Sequence, residues 1–572
     1  MKNILKITLF LILSFIGGKG FSQTTPSLLW ATYFGGDSST GGLGIVTDDS
    51  GNVYMTGLTY SAGLATSGVY KTLCDSINGD AFLAKFSPSG SLIWCTYYGG
   101  FYYDYGAAVA IDKLGNIYMA GVTYSSSGIA TSGAYQTVGN TVNGEGFIAK
   151  FSYSGSLIWA TYYGGSGGDC NSIVADTSGD IYLGGNTSSD SGIATSGAHQ
   201  TSYAGDGDVF LAKFSSSGSL IWATYYGGSG GDDGGVGAID KSGNIYLMGF
   251  TNSDSGIATS GTYQSYYKGT SGDNTFLAKF SPSGSLFWGT YYGEKSIGSY
   301  MANDIFGNLY VTGTTNATTG IATSGAYQTI GDSINSDAFL AKFSSSGSLL
   351  WATYYGGSGV EESEFVATDK YGNAYISGIT NSTSGIATSG AYQSSYAGFN
   401  HSYDTYLAEF SLAGNLLSAT YYGGYEDNYG GTIATDTFGN IYDAGLTYSP
   451  SGIATSGAYQ SIYNNSGEGF LAKFSFSTLT GVEQINTQSA NIDIYPNPFS
   501  AQATISYQLS NTANVRIEIL NLEGETMSVL IDENQEMGNY TKTLMADNLA
   551  SGLYIVRMVS DNQVITKKII KL

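Results

Sequence analysis

The sequence predicts an all-β protein: a seven-bladed β-propeller with four strands per blade, closed by the N-terminal strand, followed by a small β-sandwich. Three observations carry that expectation. A tryptophan segment returns at Trp30, Trp94, Trp159, Trp222, Trp288 and Trp351, with Ser418 in the seventh place, at spacings of 64, 65, 63, 66, 63 and 67 residues. A period this regular marks a repeat architecture. The composition is that of sheets and tight turns: 83 glycines, 48 tyrosines and only 6 prolines, with 11% charged residues in 572. Disordered chains lack aromatics and carry denser charge. Finally, one copy of the repeat is split between the two ends of the array. Leu28–Gly36 is the second half of a unit whose first half is Phe470–Ser475.

Taken from the start, residues 1–22 read as a secretory signal peptide. Lys2 and Lys6 form a basic start, Ile7 to Ile16 an apolar stretch, and Gly20-Phe21-Ser22 a small-residue exit with cleavage expected after Ser22. The apolar run is too short to cross a bilayer, and no cysteine follows it to anchor a lipid, so no membrane span is expected in the mature chain.

The array is expected over residues 27–477. In each period an apolar strand ends in Asp-x-x-Gly-Asn, as at Asp112–Asn116, and a second strand such as Ile117–Gly121 follows. A loop of about 20 residues then carries Gly128-Ile-Ala-Thr-Ser-Gly-Ala-Tyr-Gln136, before strands Phe147–Ser152 and Ser156–Tyr163. Four short antiparallel strands per unit are the pattern of a propeller blade. Asp48, Asp112, Asp176, Asp240, Asp304, Asp369 and Asp436 each stand three positions before a glycine. An Asp that caps the turn amides, followed by a left-handed Gly, makes a tight hairpin, so these acids are assigned to turns rather than to a ring of ligands or catalytic groups. Pairing Phe470–Ser475 with Leu28–Gly36 completes the seventh blade and ties the ends together, which removes a free sheet edge. The recurring Trp-Ala-Thr-Tyr-Tyr-Gly-Gly, Asp-x-x-Gly-Asn-Ile-Tyr, Thr-Ser-Gly-Ala-Tyr-Gln and Phe-Leu-Ala-Lys-Phe-Ser segments resemble the SBBP family, a bacterial seven-bladed propeller repeat. That resemblance implies the fold and supplies no catalytic residues.

A linker is expected at residues 478–490, and a different composition from 491 to 572. Alternating strands at Thr504–Leu509, Val515–Ile519, Leu553–Met558 and Val564–Leu572 predict an antiparallel sandwich. Tyr495-Pro496-Asn497-Pro498, the Leu549–Tyr554 segment with Gly552 and Tyr554, and the terminal run from Lys567 and Lys568 to Leu572 resemble the type A C-terminal sorting domain of the type IX secretion system. The resemblance implies that the type IX secretion machinery is a partner and that the chain reaches the outer surface, or the medium, of a Gram-negative bacterium. It also implies removal of the domain at the surface, with the cargo released or attached to a surface glycolipid.

The chemistry is sparse. A net charge of −23 repels nucleic acid and anionic lipid. Cys74, Cys95 and Cys170 show no metal spacing; Cys95 reads as a small core residue, and a Cys74–Cys170 bridge is open. Departures from the repeat are His199 for Tyr, Asp180 for Asn, Glu294-Lys295 for Gly-Gly, Glu409 for Lys, Ser418 for Trp, and His401; they read as drift on a tolerant scaffold. No Ser-His-Asp order, metalloprotease helix motif or phosphate loop is visible, so no catalytic or cofactor-binding residue is assigned. The loops after each Gly-Gly carry acids at Asp37, Asp104, Asp169, Asp232, Asp233, Glu361, Glu362, Glu426 and Asp427. Of these, Asp232, Asp233, Glu361 and Glu362 are the candidate Ca²⁺ ligands, with solvated acidic loops as the alternative. Exposed-looking tyrosines (Tyr203, Tyr266, Tyr267, Tyr396) suit recognition of glycan or protein surfaces, or else pack on their own blade. The expectation is a monomeric, secreted cell-surface scaffold for binding or adhesion, with glycan, matrix or protein as ligand. The alternatives are an extracellular glycan-degrading enzyme and a structural surface component without ligand.

Overall fold

The computed structural model describes residues 24–140, 143–269, 272–399, 401–464, 466–478, 492–509, 512–521, 526–545, 549–560 and 563–572. The signal peptide with Ser22, and all of the expected linker but Thr478, lie outside the described residues. The chain divides into two compact units, Met1–Leu479 and Thr480–Leu572.

The first unit is seven antiparallel four-stranded sheets. Blade one consists of Thr40–Thr47, Val53–Thr59, Asp80–Phe86 and Leu92–Tyr98, in that spatial order. Blades two to six repeat it. Blade seven is built from both ends: Asn428–Thr435, Asn440–Thr447 and Glu468–Thr478, with Thr24–Phe34 as its fourth strand. Those outer two strands pair antiparallel from Thr24↔Thr478 to Phe34↔Gly469. Blade seven also packs on blade one: Phe34, Ile45, Phe82, Tyr442 and Leu471 share one buried cluster, and Thr432 Oγ1 donates to the Leu43 carbonyl at 2.7 Å.

Neighbouring blades are joined by a tryptophan latch. Each tryptophan lies over the left-handed glycine of the next blade's outer hairpin and donates its indole N–H to the carbonyl two residues before it. Trp30 reaches Pro88 O at 2.9 Å beside Gly90, Trp94 Tyr153 O at 3.2 Å beside Gly155, and Trp222 Pro282 O at 3.0 Å beside Gly284. A Cβ at Gly90 would stand 2.9 Å from the Trp30 ring, so the indole requires glycine there on steric as well as conformational grounds. The lysine that recurs on the third strand joins the same turn in several blades: Lys150 Nζ donates to Ser216 O at 3.0 Å and Lys473 Nζ to Pro88 O at 3.3 Å.

Ser418 and Glu409 follow from this latch, and the drift expected for them is corrected. Blade seven has no turn between its outer strands, because they are the two ends of the array. A tryptophan or lysine from blade six would find no hairpin to hold. Instead Glu409 sits opposite Ser418, accepts from the Tyr375 hydroxyl at 3.0 Å, and receives the Ser418 hydroxyl at 3.3 Å. Phe476, on the extended third strand of blade seven, packs edge-to-face on Tyr375 with ring centroids 5.2 Å apart.

The seven Asp residues are turn caps. Asp48 accepts from the Ser50 and Asn52 amides at 3.0 and 2.9 Å, and Asp436 from Phe438 and Asn440 at 2.9 Å each. The repeated Tyr-Gln loop core is structural too. Gln200 donates its side-chain amide to buried Asp208 at 2.8 Å and its backbone N–H to Thr224 Oγ1 at 2.9 Å, and Gln136, Gln328, Gln393 and Gln460 do likewise. All three cysteines are free thiols, so the Cys74–Cys170 bridge is not formed.

The second unit has a three-stranded sheet (Ile492–Tyr495, Gln502–Leu509, Gly538–Met545) and a four-stranded one in the order Thr526–Gln535, Ala513–Leu520, Gly552–Ser560, Gln563–Lys571. Their inward faces bury Ile492, Ile505, Val515, Ile517, Val556 and Ile569. Thr526–Gln535 and Gly538–Met545 were not expected as strands. Thr526–Gln535 runs Val529, Leu530 and Ile531 together ahead of a polar end, and Gly538–Met545 is largely exposed, so neither shows clean period-2 alternation.

Four outcomes are expected. W222A costs about 2–4 kcal/mol in urea unfolding, whereas S418W also destabilises, because the ring meets Phe476 and no hairpin. Deleting residues 27–36 abolishes the cooperative transition. Burial pushes Asp104, Asp208, Asp337 and Asp404 up to about 6. A carboxyl raised on folding stabilises below its unfolded value and loses that contribution as pH rises through the folded one. The thermal midpoint therefore falls as pH is raised from about 4 to about 7, as calorimetry would read.

Candidate functional site

The propeller has two unlike ends. One carries the Asp-x-x-Gly and Ser-x-Ser-Gly hairpins; the other, the loop face, carries the Gly-Gly turns and the long loops between second and third strands. The first strands of all seven blades line a central channel of about 380 Å³, with Ile45, Val109, Ile173, Val236, Met301 and Ile433 among its lining and two carboxylates, Asp233 and Glu364, in its wall.

On the loop face the candidate Ca²⁺ ligands separate into two roles. Asp232 is buried and accepts from the Gly228 amide at 2.8 Å and the Ser253 hydroxyl at 3.0 Å, and also from Thr251. Glu361 holds the Gly357 amide at 2.8 Å and the Thr380 hydroxyl. Both cap their Gly-Gly turns, as Asp104 does at Gly100. Asp233 and Glu362, one residue on, alternate to the other side of the strand, and the two pairs stand on blades four and six. Asp233 borders a pocket of about 280 Å³ with Asp206 and Asp273. Among the described residues no group of three or more His, Cys, Asp or Glu is placed to hold a metal.

Of the four exposed-looking tyrosines, three follow the second reading and pack on their own blade. Tyr203, Tyr267 and Tyr396 pack on Tyr225, Tyr291 and Tyr421 at centroid distances of 6.3, 6.0 and 6.4 Å; only Tyr266 is open to solvent. His199 replaces a tyrosine in inter-blade packing, 5.9 Å from the Phe280 ring, and burial lowers its pKa. His401 is exposed at a left-handed loop position in blade six, so the two histidines form no pair. Asp180 makes an ion pair with Lys213 at 3.2 Å.

What the sequence reading missed is an aromatic platform at the loop face of blades six and seven. Phe399, from the long loop of blade six, stacks on Tyr425, from the following Gly-Gly turn, with centroids 4.9 Å apart and planes 16° apart. Both rings are more than half exposed, at 57% and 51%. The pair is fixed from below, since the Phe399 amide donates to the Tyr425 carbonyl at 3.0 Å. Tyr429 stands between Tyr403 and Tyr448, at 6.0 and 6.4 Å, and Asp427 receives the Tyr403 amide at 2.8 Å. Glu426 and His401 are exposed in the same two loops.

In the second unit the sorting residues converge on the terminal strand. The Asn497 side chain donates to Lys568 O at 2.8 Å and accepts from the Ile570 amide at 2.9 Å. Gly552 pairs with Lys571 and Tyr554 with Ile569, and the Tyr554 hydroxyl donates to Ala550 O at 3.0 Å. The Tyr495–Pro496 and Asn497–Pro498 peptides are cis. Tyr495, Pro496, Pro498, Lys567 and Lys568 are exposed. Among the described residues no helix is long and apolar enough to cross a membrane.

Comparison with known proteins agrees with this division. Residues 493–572 match the family model described as a secretion system C-terminal sorting domain, and residues 29–65, 93–128 and 158–192 match that of the SBBP β-propeller repeat. An uncharacterized WD repeat-containing protein of Acanthamoeba polyphaga mimivirus is 24% identical over 399 residues, covering 58% of this chain and 28% of that protein. The chain thus spans under a third of that relative's length. A PL25 ulvan lyase structure aligns over 72% of this chain and 92% of its own, at 11% identity and a TM-score of 0.40. PorZ, a surface component of the type IX secretion system of Porphyromonas gingivalis, aligns over 96% and 86%, at 10% identity and a TM-score of 0.15. The chain carries SBBP β-propeller repeats and a type IX sorting domain, and it is a protein exported to the cell surface or beyond by a Gram-negative bacterium.

Proposed function

We propose that the exported propeller is a binding scaffold and that it takes a neutral glycan on the loop face of blades six and seven. The observation that carries this reading is the exposed, stacked Phe399–Tyr425 pair. Rings of this size left in water cost free energy unless a partner covers them. A pyranose offers what the pair can take, an apolar C–H face for the ring surface and a rim of hydroxyls. Glu426, Asp427 and His401 border the pair with groups that accept or donate to such a rim. A net charge of −23 disfavours polyanionic polymers and so favours uncharged ones. The remaining loops, pinned by their Gln–acid contacts, hold the surface rigid, which limits the entropy lost on binding.

Glycan-array binding by the exported chain tests the proposal. F399A and Y425A should each weaken the strongest hits by about tenfold or more, and unchanged binding in the double variant would refute the site. Oligosaccharide release in the same assay would replace the scaffold reading with a glycan-degrading one. Export is tested separately: deleting residues 491–572 should leave the propeller in the periplasm, and surface display at the full-length level would contradict that.

A further inference from the structure

A second unusual place lies in the channel wall between blades six and seven. At the third position of the second strand, the other blades carry Met55, Met119, Leu183, Leu247, Val311 and Ile376; blade seven carries Asp443. Asp443 is 0% exposed. Its Oδ1 receives the Ser377 hydroxyl of blade six at 3.3 Å, and its Oδ2 has no hydrogen-bond partner. The bulged residue of blade six's innermost strand is Glu364, where blades two and five have Ala107 and Ser299. Its side chain crosses to blade seven and lies over Gly431, whose Cβ, if it had one, would stand 2.6 Å from Glu364 Oε2. The Gly431 amide lies against the Asp443 carboxylate. Two carboxyl groups thus face one glycine, with no lysine or arginine among the residues lining the channel.

Such a pair is costly as two bare anions, and a cation held between them relieves that cost, as taking up a proton would. We propose that Glu364 and Asp443 bind a hard divalent cation, Ca²⁺, at the channel edge of the seam between blades six and seven. Ca²⁺ takes six to eight oxygens at flexible geometry, so two carboxylates with water from the adjoining channel can satisfy it. Both acids are departures from the repeat, and they come from different blades, so the ion would tie the two blades together where the tryptophan latch is missing. The affinity expected of a two-carboxylate extracellular site is on the order of 10⁻⁴–10⁻³ M.

Calorimetric titration of the exported chain with CaCl₂ at about pH 7.5, after EDTA treatment, should show a site in that range. Millimolar Ca²⁺ should raise the thermal midpoint by about 2 °C or more. E364S and D443L, which install the residues of blades five and three, should each remove the midpoint shift and the matching heat. Should one variant not fold, the other still decides. A Ca²⁺ response that persists in both variants would overturn the proposal by placing the ion elsewhere, for example at the acidic pocket of Asp206, Asp233 and Asp273. No Ca²⁺ response in the wild type, in either the titration or the midpoint, would also overturn it.

Discussion

An indole laid on a glycine of the next blade is the contact on which the rest of the propeller depends. Six blade junctions use it, from Trp30 on Gly90 to Trp351 on Gly414. It combines burial, a hydrogen bond and a steric demand that only glycine meets. Where a Lys reaches the same turn it adds a charged donor, and its ammonium stays near the Asp of its own blade's hairpin: Lys279 donates to Ser345 O and lies 3.3 Å from Asp240. One hairpin therefore holds the indole and lysine of the preceding blade, so angle and spacing between blades are set by local rules repeated around the axis. The 63- to 67-residue period of the sequence is the record of that repetition.

The seventh junction shows the rule by its exception. Where the chain ends leave no hairpin, both residues that would use it change together, Trp to Ser418 and Lys to Glu409, and a phenylalanine from a lengthened strand covers the gap. The same seam holds Glu364 and Asp443 nearer the axis, and the Phe399–Tyr425 platform at its loop face. The regular junctions carry stability, while the irregular one gathers the residues that are free to differ.

The blade pattern, the split seventh sheet and the turn role of the seven Asp residues were legible because each repeats in register and has a local physical cause. Ser418 and Glu409 were visible as departures, but their cause lay in a turn that is absent, which no single segment displays. Phe399 and Tyr425 come from loops whose tips follow no period, so only folding makes them neighbours. Tyr203, Tyr267 and Tyr396 left two readings open for the opposite reason: they lie in variable loops yet repeat one anchoring position, and packing on their own blade is the reading that holds. Asp443 was written plainly in an otherwise apolar column, and its significance needed the facing strand that brings Ser377 and Glu364 to it.

The split blade also imposes an order of events. Ala31 meets Thr455 across 424 residues of sequence, and the Thr24–Phe34 strand takes its partner from the far end of the array. Closing a loop of that length costs roughly 5 kcal/mol of chain entropy, recovered only when Glu468–Thr478 has been made. Until then the seventh sheet lacks its third strand, and the junction that joins the two ends of the array cannot form. A nascent or threaded chain is consequently never a finished propeller, and the rigid particle exists only once the whole array has arrived on one side of the membrane it crosses.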